Sequence, residues 1–317
     1  MEEIKRGIER ALYYCLGLKE SEQLVIVTDT KLSPISELFY GVAHDNGNHV
    51  AMLKMTGITM SGTEPPKLFG TALYSADVAV VLTEHSISHT RARQKASHHG
   101  TRMALLPGFT EEMLKGPLMV DYEAMGKRTH KMSRYLDSAE TAYLLTDAGT
   151  QITMSLEERA GFADYGVYLQ PGECGNLPAG ESYIAPQEGT ANGIIVVDDC
   201  ITNLGKLDEP ITLTVEKGQV VKAEGGKAAE VFWDILQLGG KGATNLGELG
   251  IGTNDSGVIT GISLADEKIL GNVHIGLGDN MNFGGRVDSK CHLDCVLTKA
   301  TLYLDDVLVV ENGKIIV

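Results

Sequence analysis

LVIVTD (24–29), HVAMLKM (49–55), VAVVLTE (78–84) and TRMALLPG (101–108) are short apolar runs of strand length. Between and after them come stretches of helical character: ISELFYGVAHDNG (35–47), PKLFGTALY (66–74), RARQKAS (91–97) and TEEMLKG (110–116). Strands that are apolar throughout and alternate with helices predict a small parallel sheet covered by helices, joined by right-handed crossovers. No GxGxxG phrase follows the first strand, so the sequence offers no dinucleotide site there.

Upstream, MEEIKRGIERALYYCLGLKE is charged and amphipathic, with Ile4, Ile8, Ala11 and Leu12 on one helical face. It reads as a structural helix rather than a secretory signal. Downstream, KRTHKMSRYLDSAE (127–140) is polar and helix-prone, and after it the character changes. AYLLTDAGTQITMSL (142–156), ANGIIVVDDCIT (191–202), ITLTVEKGQVVKAEGG (211–226) and KATLYLDDVLVVENGKIIV (299–317) read as strands with tight turns. GKAAEVFWDILQLGG (226–240) is a helix among them. The expected organisation is an α/β domain over residues 1–135 and a β-rich α+β metal-binding domain over residues 136–317.

The chain has 317 residues and 43% hydrophobic content, enough for a core in each of two domains. A net charge of −15, with no stripe among its 27 basic residues, argues against nucleic-acid binding. No run approaches the roughly 20 apolar residues that cross a bilayer, so no membrane partner is expected and the cytoplasm is the expected location. The five cysteines include no CxxC pair, which suits reduced thiols. Nor is there a GxSxG elbow or a Gly-rich loop ending in Lys-Ser or Lys-Thr after a strand.

Chemistry concentrates in four phrases of the second half: NLPAGE (176–181), NLGELGIGTN (245–254), NVHIGLGDN (272–280) and CHLD (291–294). They carry Glu181, Glu248, His274, His292 and Asp294. On a strand, residues two apart share a face, so His292 and Asp294 can reach one ion together. Glu181 and Glu248 stand among apolar residues and glycines, where a buried carboxylate must be paired, hydrogen-bonded or metal-bound. Imidazole with carboxylate suits Zn, Mn, Co or Fe(II), and five such groups exceed what one catalytic zinc uses. They suit two divalent ions that share a carboxylate. Cys291 and Cys295 flank His292 and Asp294, but thiolate sites usually close with CxxC spacing.

In this order the phrases resemble the metal-binding motifs of the aminopeptidase T family of metallopeptidases. The likeness covers most of residues 170–310 and is weaker in ISHTRARQKASHHGTRMALLPG (87–108). It implies that Glu181, Glu248, His274, His292 and Asp294 hold a dinuclear centre of Zn, Co or Mn, with Glu248 as the bridge. It further implies a homodimer that hydrolyses peptide bonds at a free N-terminus. The expected reaction is cleavage of an amide bond in a small peptide or peptide-like substrate by metal-hydroxide attack, with Glu181 or Glu248 moving the proton. The chain is shorter than typical members, and Met281 stands where they place a tyrosine.

The sequence also resembles the 2,5-dihydroxypyridine dioxygenases, ring-cleaving enzymes that use one Fe(II). They share HLD and the strand TKATLYLDDVLVV (298–310), but carry His where this chain has Glu248 and apolar residues at Glu181 and His274. A histidine corresponding to His85 lies near their substrate, which makes His85 a candidate substrate-contacting residue here. Asp279, five residues after His274, is a candidate for orienting a ligand. His98 and His99 close a helix and read as structural.

Overall fold

The computed structural model describes residues 2–317. It divides into two compact units: the chain up to Tyr122 with Gly166–Ala179, and Glu123–Tyr165 with Gly180–Val317. The boundary expected after residue 135 falls inside the helix Tyr122–Ser138, which from Glu123 onward belongs to the second unit. A return of the chain to the first unit, at Gly166–Ala179, was outside what the sequence suggested.

Among the described residues, the first unit is built on a five-stranded parallel sheet. Its first four strands are β1 (Gln23–Asp29), β2 (His49–Met55), β3 (Val78–Leu82) and β4 (Arg102–Leu105). The fifth, β5 (Cys174–Asn176), is supplied by the returning segment and pairs with β4. In space the order is β2-β1-β3-β4-β5. The helices Ser33–Asp45, Lys67–Leu73, Arg91–His98 and Glu111–Lys115 fall where the alternation places them. Every residue of β3 is buried, as expected of a parallel strand covered on both faces. Ile4, Ile8, Ala11 and Leu12 of the first helical segment are buried as well.

The second unit packs two antiparallel sheets and the helix Gly226–Gly239 around one core. Among the described residues, one sheet has eight strands and includes the hairpins Thr141–Leu145/Gln151–Ser155, Ile211–Glu216/Gln219–Glu224 and Thr301–Leu304/Val307–Glu311. The other has seven, and four neighbours in it matter most: β6 (Glu181–Ile184), β7 (Leu246–Gly252), β8 (Val273–Gly278) and β9 (His292–Leu297). Their order is β9-β8-β7-β6, all antiparallel. Leu249, Ile251, Val273, Ile275, Leu277, Leu293, Cys295 and Leu297 point from these strands into the core. All five cysteines are free thiols.

Candidate metal centre

All five candidate ligands lie in the second unit, on the face of β6–β9 opposite the core. Register places them there: Gly252 pairs with Glu181, Gly250 with His274, Glu248 with Gly276, Gly276 with Asp294 and Gly278 with His292. Strict alternation would put Leu246 and Glu248 on one side. A bulge between them breaks the register, so Leu246 enters the core while Glu248 joins the ligands.

The glycines of these strands make room for the imidazoles. A Cβ on Gly250 would come within 2.0 Å of His274 Cε1 and 2.1 Å of its Nε2. One on Gly276 would meet Glu248 Cβ at 2.7 Å and His292 Nε2 at 2.9 Å. Gly180, with φ of +120°, brings the chain to Glu181 where a side chain would strike Met125 and Asn254.

Glu248 lies between the two histidines. Its Oε1 is 3.3 Å from His274 Nε2 and its Oε2 is 3.0 Å from His292 Nε2. Glu181 Oε2 is 3.4 Å from His274 Nε2, and Asp294 Oδ1 is 3.0 Å from His292 Nε2. Two ligand groups result, Glu181–Glu248–His274 and Glu248–His292–Asp294, each with its ligand atoms within 4.8 Å of one another and with Glu248 common to both.

The donor set fits a cation. His292 Nδ1 is 2.7 Å from the carbonyl oxygen of Asp279, which can only accept, so Nδ1 carries a hydrogen. A neutral His292 then turns its Nε2 lone pair toward two carboxylate oxygens. Either a proton or a metal ion must stand between them. Glu181 Oε2, Glu267 Oε2 and Asp294 Oδ1 are buried and accept no hydrogen bond, although Glu181 and Asp294 lie at ion-pair distance from an imidazole. Leaving such atoms uncompensated is costly.

Without a metal, protons take this place. Burial opposes charge on His274, but its hydrogen bond to Glu248 and the charge of Glu181 outweigh burial and raise its pKa to about 9. His292 is likewise raised well above its usual value, burial being overcome by Asp294 and Glu248. Glu248 is held down to about 2, the hydrogen bonds from both histidines outweighing burial. In Glu267 burial prevails over the attraction of Lys268 and lifts the pKa to about 8.

Of the other sequence candidates, Asp279 lies beside the candidate ligand His292, through its backbone carbonyl; its carboxylate accepts from Ser289 N at 3.3 Å. His85 is on the loop after β3 in the first unit, where its carbonyl accepts from Thr83 Oγ1 at 2.7 Å. Met281 is 52% exposed, in a short turn whose Phe283 packs edge-on against His292 with ring centroids 5.9 Å apart. Sequence reasoning passed over Lys268 and Glu267. Lys268 Nζ lies 2.5 Å from Glu181 Oε1 and 2.8 Å from Glu267 Oε1, and Lys268 is 2% exposed. The one available signal was three charges, Asp266-Glu267-Lys268, set between apolar ISLA and ILG.

The family model for 2,5-dihydroxypyridine 5,6-dioxygenase, NicX, matches residues 6–317. The chain belongs to this family. Its relatives include the 2,5-dihydroxypyridine 5,6-dioxygenase of Pseudomonas putida, 26% identical over 258 residues that cover 77% of this chain and 72% of the relative. Similarity to a second kind of enzyme is weaker: aminopeptidase AmpS of Bacillus subtilis is 24% identical over 164 residues, 49% of this chain and 40% of the relative. Among solved structures, 2,5-dihydroxypyridine dioxygenase from P. putida matches with a TM-score of 0.82 and 22% identity, over 99% of this chain and 96% of that one. Aminopeptidase AmpT from Thermus thermophilus matches with a TM-score of 0.75 and 16% identity, over 100% and 99%. The NicX-family chain thus has a fold common to a dioxygenase and an aminopeptidase, and among its described residues no helix is long and apolar enough to cross a membrane.

Proposed function

We propose that this protein is a metal-dependent hydrolase of the aminopeptidase T type, binding two divalent ions and cleaving an amide bond in a small peptide or peptide-like substrate. The observation that carries the reading is Glu248, which turns one oxygen to each histidine and belongs to both ligand groups. Divalent ions held there supply Lewis-acid polarisation of a carbonyl and a water acidic enough to attack at neutral pH. The chain's own part is to fix the carboxylates. Lys268 holds Glu181 by Oε1 and so fixes its orientation, and Glu181 or Glu248 moves the proton from water to the leaving amine. Burial raises the pKa of Glu181, with Lys268 and His274 opposing, which suits a carboxylate that must also hold a proton.

A second reading, a mononuclear Fe(II) ring-cleaving dioxygenase acting on a dihydroxypyridine-like aromatic, is favoured by the family match and by the P. putida relative. Such iron sites take two histidines and one carboxylate. Among the described residues, each candidate ligand group in this centre contains one histidine, which favours the hydrolase.

Metal content separates the two. About two zinc, cobalt or manganese ions per chain, with turnover of free but not N-blocked dipeptides, is the expected result. One oxygen-sensitive iron per chain, with oxygen uptake on a dihydroxypyridine, would install the dioxygenase instead. Glu248→Ala should lose more than about 100-fold in metal affinity, beyond the effect of removing an outer partner; full metal content and activity in that variant would sink the assignment.

A further inference from the structure

Glu267 is 4% exposed and follows the short helix Ser263–Asp266. Lys268 accounts for one of its oxygens, Oε1, at 2.8 Å. Its other oxygen, Oε2, is buried with no hydrogen-bond partner. Glu267 can present an oxygen within 4.8 Å of ligand atoms of both His274 and Asp294. These two residues belong to different halves of the centre, His274 with Glu181 and Asp294 with His292.

The geometry points to Glu267 as a second carboxylate shared by the two halves of the centre, a ligand for a hard or borderline divalent cation facing Oε2. This rests on the two-ion reading. A role as counter-ion to Lys268 explains Oε1 and leaves Oε2 among other acids, an arrangement that a cation relieves and burial alone makes costly. Charge balance agrees. Glu181, Glu248, Glu267 and Asp294, with Asp164 on the strand beside Glu181, leave with Lys268 an excess of negative charge that one divalent ion does not cancel. Coordination by Glu267 would also spare Glu181 for proton transfer.

The test is a Mn2+ titration of metal-free protein by calorimetry, with electron paramagnetic resonance of the loaded sample, on the wild type, Glu267→Gln and Glu267→Asp. Glu267→Asp keeps the charge beside Lys268 and withdraws the oxygens by one methylene, so it covers the case in which Glu267→Gln fails to fold. The expected result is two ions in the wild type, and in the folded variants at least a tenfold weaker second ion with an altered spin-coupled signal. Unchanged affinity and signal in a folded variant would reduce Glu267 to a counter-ion while the two-ion reading stood. Fewer than two ions in the wild type would remove that reading and this inference with it.

Discussion

The two faces of β6–β9 are made from the same four strands and ask opposite things of their side chains. On one, Leu249, Ile251, Val273, Ile275, Leu277, Leu293 and Leu297 fill a core in which shape and volume decide fitness. On the other, carboxylates and imidazoles crowd together and glycines stand between them, because space beside each ligand is needed more than packing. The apolar face contributes stability by burial. The polar face gathers buried charges that are costly unless each meets a partner of opposite sign.

The sharpest way to break this contrast is to remove the built-in cation. Lys268→Met should destabilise the metal-free protein by about 3–5 kcal/mol, since Glu181 and Glu267 lose their common partner; a denaturation midpoint near that of the wild type would show that the polar face tolerates its own charge. On the opposite face, Ile275→Ala should cost about 2–5 kcal/mol. Its folded fraction should still bind metal with wild-type affinity, and a joint loss would mean that the faces are not separable.

Gly250→Ala should act the other way. The added methyl meets the His274 ring, so metal affinity should fall at least about tenfold while strain costs about 1–3 kcal/mol. Calorimetry with Mn2+ beside thermal melts reads both quantities.

The gentlest probe is pH. His274 and Glu267 bind protons more tightly in the folded metal-free protein than when unfolded, with pKa values of about 9 and about 8. Their contribution is therefore complete below the unfolded values and is lost as pH rises through the folded ones, so metal-free stability should decline between roughly pH 4.5 and 9, first through Glu267 and then through His274. Metal must displace the same protons, so apparent affinity should rise over that window. Parallel slopes for stability and affinity would contradict a cation-shaped face.

The first unit was legible because its pattern is local. β1 to β4 are apolar runs punctuated by helices, and each strand lies where its run does. The fifth strand was not legible, because Cys174–Asn176 carries no strand signature and exists by pairing with β4. In the same way the helix Tyr122–Ser138 was visible, while its membership of the second unit was not, since that depends on what it packs against.

By itself the sequence determined the alternating α/β half, the hairpins of the β-rich half, and five residues whose types and glycine-flanked settings suit metal coordination. Tertiary structure alone decided which of them meet. The bulge before Glu248 reverses the alternation that side-chain order implies, and His292 is oriented by a backbone carbonyl, which every residue possesses and no sequence advertises. Lys268 and Glu267 stand beside these residues for the same reason: the fold brings their segment to Glu181 and Asp294, which lie far off along the chain.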